Sequence, residues 1–354
     1  MPNSKTPLLE MLGITNPICQ GPMLGGATPE MVAAVSNAGG MGGYAASMLD
    51  GEGIGRIVSS IRSRTDKPFN LNLFVQDPPN PTADQLQRAF DLLDPLRAEL
   101  GLPPAKPLAK YCENFREQLD AVIDLKLPVV SFTFGLLDAE SVERLHHAGS
   151  IVIGTVTNVA EALAWEQNGA DVICASGSES GGHRGTFIGS YESSMTGTMV
   201  LVPQVVDSVK LPVIAAGGIM DGRGIKAALA LGAQAVQMGT AFLVTAEGAI
   251  HRSWKQRIRD AGDTSTRTTK LFTGRAARGI VNEFMERLKD HEDEIPPYPI
   301  QNALTADMRQ MARELDRMDY LSLWAGQGAA MTKLRQAGIS AHELMEQLKQ
   351  EIAA

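Results

Sequence analysis

The stretch Ser176-Gly177-Ser178-Glu179-Ser180-Gly181-Gly182-His183-Arg184-Gly185 holds four glycines in ten residues, with one histidine among them. Such a loop can wrap closely round a ligand, because glycine leaves backbone N–H donors free of side-chain obstruction. His183 changes charge near neutral pH and so suits accepting a proton or hydrogen-bonding an anion. Of the other histidines, His146 and His147 fall on a helix-to-loop surface, and His251, His291 and His342 sit among charged residues. The competing reading of His183 is a loop histidine that only bonds a backbone carbonyl. Arg184 reads either as a partner for a phosphate or acid or as a solvated surface residue. Glu179 reads as a second proton carrier or as a backbone cap.

Two more segments suit a ligand: Val213-Ile214-Ala215-Ala216-Gly217-Gly218-Ile219 and Val236-Gln237-Met238-Gly239-Thr240-Ala241. If they end the last two strands of a barrel, their N–H groups and the Thr240 hydroxyl form a phosphate cradle. Tight turns are the alternative. The first and third apolar runs end in Gln20-Gly21-Pro22-Met23 and Asn70-Leu71-Asn72-Leu73. Asn72 can pair with both the donor and the acceptor edge of a pyrimidine-like ring, or can tie down a strand end. Asn70 lies on the same side of the strand, so one can orient the other. A phosphate site with a ring-edge amide points to flavin mononucleotide (FMN). No G-x-G-x-x-G opens a helix, so a Rossmann site for NAD or FAD has no support.

These groups need a scaffold. Short apolar or β-branched runs occur at Pro17–Gln20, Gly42–Ala46, Phe69–Val75, Pro128–Phe134, Ile151–Val156, Asp171–Ala175, Pro212–Ala216 and Ala235–Met238, most followed by a helical pattern. Eight such units predict an α/β protein, a (β/α)8 TIM-type barrel whose chemistry sits at the strands' C-terminal ends. Helix punctuation agrees: Thr28-Pro29-Glu30 opens one helix, Asn158 with Glu161 resembles a capping box, and Asp221 to Leu231 closes at Gly232. Residues 76–126 are longer than one crossover needs and are proline-rich. Three segments are expected: an FMN-binding barrel over 1–249, a mostly helical lobe over 250–320 that covers the barrel mouth, and helices over 321–354 returning to the barrel. The last includes an amphipathic helix from Ser340 to Ile352.

Bulk properties narrow the function. The 354 residues carry 32 Lys and Arg against 40 Asp and Glu, a net charge of −8. Without a basic stripe, nucleic acid is not the expected partner. Cys19, Cys112 and Cys174 form neither a disulfide framework nor a metal-ligand pattern and fit a reducing cytoplasm. Met1 to Leu12 does not read as a secretory signal, and no run of about 18 apolar residues reads as a membrane span.

The Ser176–Gly185 loop, Gln20-Gly21-Pro22-Met23, Ala215-Ala216-Gly217-Gly218-Ile219 and Gln237-Met238-Gly239-Thr240 resemble the signature segments of the nitronate monooxygenases, bacterial class I type. The resemblance runs over nearly the whole chain, including Ser131-Phe132-Thr133-Phe134-Gly135 and Leu323-Trp324-Ala325-Gly326-Gln327. It implies His183 as the catalytic residue, with Asn72 and Gly181 against the flavin ring. Gly218, Gln237, Met238, Gly239 and Thr240 would hold the phosphate and ribityl chain. Gln20, Gly21, Pro22, Met23, Ser176 and Gly217 complete the expected cofactor set, although Ser176 stands where relatives often carry a longer amide. The implied reaction converts alkyl nitronates, propionate 3-nitronate above all, with O2 to carbonyl compounds and nitrite, a detoxification. Tyr111, Tyr320 and Arg184 are the candidates for a substrate carboxylate, and a homodimer is compatible. Two alternatives stay open: an FMN-dependent NAD(P)H oxidoreductase of quinone reductase or enoyl-acyl-carrier-protein reductase type, and a non-catalytic flavin-binding protein.

Overall fold

The computed structural model describes residues 6–354; the first five residues of the expected barrel segment lie outside them. The strands are β1 (Ile18–Gln20), β2 (Gly42–Ala45), β3 (Phe69–Phe74), β4 (Val129–Thr133), β5 (Ile151–Val156), β6 (Val172–Ser176), the two-residue β7 (Gly182–His183), β8 (Val213–Ala216), β9 (Ala235–Met238), β10 (Thr266–Thr269) and β11 (Ala277–Ile280). Eight of them form a parallel sheet in the order β1-β9-β8-β6-β5-β4-β3-β2. A parallel bridge between Cys19 and Met41 closes the ring just ahead of β2. The result is the expected (β/α)8 barrel, with each strand end within one residue of its expected place.

Side-chain alternation sorts the strand residues into two environments. Outward residues such as Val130, Phe132, Val152, Ile173, Val213 and Val236 pack with the surrounding helices. Inward residues change character along the barrel axis. At the N-terminal end Val129, Ile153, Val172, Ile214 and Ala235 form an apolar floor with Leu8, Leu9 and Leu12 of the helix Pro7–Leu12. Two or more residues further along, the same faces present Ser131, Thr133, Thr155, Ser176 and Gln237 to a cavity at the C-terminal end. The barrel thus has a dry base and a polar mouth.

Local capping chemistry accounts for the helix starts. Met31 N–H donates to Thr28 Oγ1 at 3.1 Å ahead of Pro29, and Asp221 accepts from the N–H groups of Arg223 and Gly224. The Asn158 capping box is only half made. Glu161 N–H does donate to Asn158 Oδ1 at 3.0 Å, but the Glu161 carboxylate turns elsewhere. It accepts from Thr157 N–H at 2.6 Å and from Phe187 and Ile188 N–H at 2.7 and 3.0 Å. A stronger set of donors than one cap N–H has captured it. The terminal helix, Ala341–Ala353, has a full capping box of Ser340 and Glu343 and buries Leu344, Met345 and Leu348.

Residues 250–320 are not purely helical. β10 and β11 pair antiparallel, and β11 also pairs with β7, so Ala277 stands opposite His183. The proline-rich segment contributes too. Its helix Ala83–Glu99 packs Leu86, Phe90 and Leu93 against Leu271, Phe272, Phe284 and Leu304 in one apolar cluster. Arg97 clamps Asp307 through two 2.8 Å bonds across that contact. No helix among the described residues is long and apolar enough to cross a membrane.

Gly154 in β5 tests the barrel-to-helix packing. A Cβ built there would lie 2.4 Å from the Trp165 ring, which is itself fully buried. Gly154→Ala should therefore cost about 1–3 kcal/mol, as overpacking of a core does. Gly55→Ala, on a helix with nothing within 4 Å, should not lower the melting temperature. Equal melting temperatures for the two variants would overturn this account of the packing.

Candidate functional site

A cavity of about 720 Å³ opens at the C-terminal end of the barrel, within the size range of small-molecule sites. Of the residues expected around a cofactor, Gly21, Pro22, Met23, Asn72, Ser176, Gly181, Gly217, Gly218, Gln237, Gly239 and Thr240 line it, as does His183. Gln20 and Met238 do not. Gln20 is buried with its Oε1 accepting from Gly43 N–H at 2.9 Å, and Met238 lies in the core, where its carbonyl receives Gly21 N–H at 2.9 Å. Both support the strand ends from behind. Period-two alternation accounts for Met238, which faces away from the lumen that Gln237 faces.

The chemistry of the wall is directional. Gly217 and Gly218 have φ of +113° and +68°, a backbone that turns freely only without a Cβ. Among the described residues the N–H groups of Gly217, Gly218, Gly239 and Thr240 have no acceptor within the protein. Four lone donors on one side of a cavity favour an oxyanion such as phosphate. Asn72 Nδ2 donates to the Ser131 carbonyl at 3.2 Å and to the Ser131 and Thr133 hydroxyls. The carbonyl can only accept, which fixes the amide orientation and leaves Asn72 Oδ1 as an acceptor for a ring N–H. Gly181 has no room for a side chain, since a Cβ would lie 2.5 Å from Ala325 C and Gly326 N. Gly181 thus serves packing against that backbone, and the donor set with the Asn72 acceptor fits a ring bearing a phosphate.

His183 is held from both sides. Its backbone sits in the three-stranded sheet through β11, and its Nε2 lies 2.9 Å from Thr273 Oγ1. Phe134, Tyr298 and Trp324 surround the imidazole with ring centroids 5.4, 5.6 and 5.8 Å away. Burial, with the positive charges of Arg275 and Arg309, pushes the His183 pKa down to about 3. The ring is therefore neutral at physiological pH. Phe134, just past β4, holds φ at +81°, an uncommon conformation for an aromatic residue that cores retain at sites under other constraints.

The other loop residues resolve into structural roles. Arg184 is buried and donates to the carbonyls of Ser176, Gly177 and Ser194 at 3.0, 2.7 and 2.8 Å. Glu179 accepts from Thr198 N–H and Oγ1 at 2.9 and 2.8 Å, the capping reading of that residue. Ser176 meets Ser180 Oγ at 2.9 Å. Tyr320 is buried with its hydroxyl on Glu99 and Arg287, and Tyr111 packs in the lobe cluster. None of the three expected carboxylate partners faces the cavity. Sequence reasoning missed Arg309, Thr273 and the aromatic wall of Phe74, Phe134 and Tyr298. Phe74 and Phe134, at the ends of β3 and β4, were the one available signal, since a strand end is where a barrel's site residues stand.

Comparison with known proteins agrees with this geometry. The family model described as nitronate monooxygenase matches residues 5–351. A Staphylococcus haemolyticus protein named "Probable nitronate monooxygenase" is 40% identical over 346 residues, covering 97% of this chain and 96% of its own. A nitroalkane oxidase from Streptomyces ansochromogenes superposes with a TM-score of 0.89 at 36% identity, covering 98% of this chain and 97% of that one. FabK from Thermotoga maritima is further off, with a TM-score of 0.77 at 30% identity, covering 99% and 97%. The chain belongs to the nitronate monooxygenase family.

Proposed function

We propose that this enzyme oxidises alkyl nitronates with O2 to carbonyl compounds and nitrite, using FMN, with propionate 3-nitronate the preferred substrate and detoxification the role. The observation that carries the reading is a neutral histidine facing a cavity whose wall offers unpaired phosphate donors and a ring-edge acceptor. Gly217, Gly218, Gly239 and Thr240 would take the FMN phosphate, and Asn72 and Gly181 the ring. A single phosphate cradle favours FMN over FAD. When bound, the flavin supplies the electron-transfer chemistry that the side chains lack.

The protein's own part would be proton handling, and the hydrogen bonds about His183 favour one atom for it. Thr273 has one hydroxyl proton, which it donates to the Arg275 carbonyl at 3.0 Å. Toward His183 it can then only accept, so Nε2 carries the ring proton. Nδ1 has no partner among the described residues and is not occluded. It is left with a lone pair. Such a ring cannot donate to a nitronate as it stands. It can take the α-proton of a neutral nitroalkane and then, as imidazolium, donate through Nδ1 to the nitronate just formed.

Three measurements follow. FMN, and not FAD, should be released on denaturation, and Gly218→Asp should lose it, because a side chain is strained at a φ of +68°, its Cβ would lie 3.2 Å from Glu179 Cβ, and it adds negative charge beside the proposed phosphate donors. A chromatogram with FAD, or full FMN content in that variant, would contradict the cofactor reading. His183→Asn should keep FMN, yet turn over a neutral nitroalkane about 10²–10⁴-fold more slowly, with a much smaller loss on a preformed nitronate. Parent rates on both substrates with flavin bound would remove His183 from the chemistry. Anaerobic bleaching of the flavin by NADH, without aerobic nitrite release, would instead favour the FabK-like reaction.

The pH profile supplies the third test. The folded-state pKa of His183 is depressed, so the base is lost on acidification near pH 3 and not near the ordinary value of 6.5. Because kcat/KM reports the free enzyme, its value for a neutral nitroalkane should stay flat from about pH 7 to 5. An acidic limb centred at 6.5 that disappears in His183→Asn would mean a solvated imidazole.

A further inference from the structure

Arg309 lies on the helix Ala306–Glu314 of the lobe and lines the same cavity as His183. Its hydrogen bonds go only to neutral groups: Nε to the Thr305 carbonyl at 3.3 Å, and Nη2 to the Asn302 carbonyl and Oδ1 at 2.7 and 3.0 Å. No carboxylate among the described residues lies within ion-pair distance of it. Arg97 on Asp307, Arg287 on Glu99 and Arg335 on Glu351 have acid partners, and Arg259, Arg275 and Arg278 bond backbone carbonyls as Arg309 does. What sets Arg309 apart from these is that it also lines the cavity. Nη1 has no partner among the described residues and is not sealed from the cavity, whereas Arg184 Nε is a donor that the fold does bury unmatched.

Burial pushes the Arg309 guanidinium down to about 10, so it stays charged at neutral pH. A half-buried cation without an acid partner is costly to the free protein and is repaired by an anion from outside. A planar guanidinium with a free N–H edge suits a carboxylate in particular. The charged groups about it do not already supply that anion. Arg313 at the mouth and Arg275 behind the histidine are cations. Glu179 is occupied by Thr198, and Glu314, exposed at the rim, receives the Gln310 amide at 3.0 Å. Arg309 and His183 line one cavity. The unpaired donors of Gly217, Gly218, Gly239 and Thr240 follow the barrel strands β8 and β9, whereas Arg309 stands on the helix Ala306–Glu314.

We infer that Arg309 holds a carboxylate carried by the substrate on the carbon chain beyond the nitro group, and so makes the enzyme select acidic nitronates over plain alkyl ones. The inference rests on reading the cavity as a nitronate site. It replaces Tyr111, Tyr320 and Arg184 by a residue that the cavity does contain.

The test compares Arg309→Met, which keeps the stem and removes the charge, with Arg309→Lys. Propionate 3-nitronate and the nitronate of 1-nitropropane are the paired substrates, equal in chain length and differing by the carboxylate. The Met variant should lose about 10- to 100-fold in kcat/KM on the acid, the range for a charged hydrogen bond, with little change on the alkyl nitronate. The Lys variant should recover part of it. FMN content and melting temperature should match the parent. Succinate, an unreactive dicarboxylate of similar shape, should bind the FMN-loaded parent in a calorimetric titration and not the Met variant. Equal losses on both substrates, or unchanged succinate binding, would overturn the inference. Loss of FMN in the Met variant would also overturn it, by assigning Arg309 to the flavin phosphate. Succinate binding that depends on Arg309 in an enzyme that releases no nitrite would leave the carboxylate site standing and remove the nitronate reading alone.

Discussion

The backbone pairing of Gly182 and His183 with Arg278 and Ala277 joins the barrel to its lobe, and the rest of the site is arranged round that short ladder. A glycine-rich loop after a strand would ordinarily be mobile. Here its tip is a strand, so the imidazole is carried on a sheet whose other members, β10 and β11, belong to the lobe. The same sheet brings Thr273, which lies between β10 and β11, under Nε2. One backbone contact thus fixes where the ring stands, and one hydroxyl fixes which nitrogen holds the proton.

The loop on either side of that tip is tied by buried charges. Glu161 takes four donors from Thr157, Phe187 and Ile188, and Arg184 spans three carbonyls. Burying these ions costs several kcal/mol each before pairing, and the offset here comes from charge-assisted bonds to the backbone. An apolar substitute would not hold the backbone in the same place. The polar interior is therefore a means of fixing loop geometry, in keeping with carboxylate and guanidinium groups that reach main-chain atoms and not one another.

The barrel was legible in the sequence because most strands are short apolar runs ended by glycine or a polar residue, and most helix starts carry a side-chain cap. The inward faces could also be read by twos: Val129, Ser131 and Thr133 move from floor to mouth within one strand. The lobe sheet was not legible. Thr266-Arg267-Thr268-Thr269 has no apolar alternation, Ala277-Arg278-Gly279-Ile280 reads as a turn, and two residues of β7 are too few for any period. Arg309 gave no local signal either, because it stands in a charged amphipathic helix where an arginine reads as solvated. Only the fold of the lobe over the mouth turns that residue inward. Gln20 and Met238 illustrate another limit of strand-end reading, since a residue can belong to a glycine-rich strand end while its side chain packs behind the wall.

The electrostatics of the cavity link the cation to the base. Burial among Phe134, Tyr298 and Trp324 depresses the basicity of His183, and the charges of Arg275 and Arg309 add to it; in such surroundings charges act over longer distances than in water. A carboxylate seated on Arg309, as inferred above, would cancel part of that positive field, so the contact that orients an acidic substrate would also raise the proton affinity of Nδ1. A nitroalkane without a carboxylate would bring no such compensation and would meet the weaker base. On that inference one residue would favour an acid-bearing nitroalkane twice: in the binding of the anion, and in the readiness of the imidazole to take a proton.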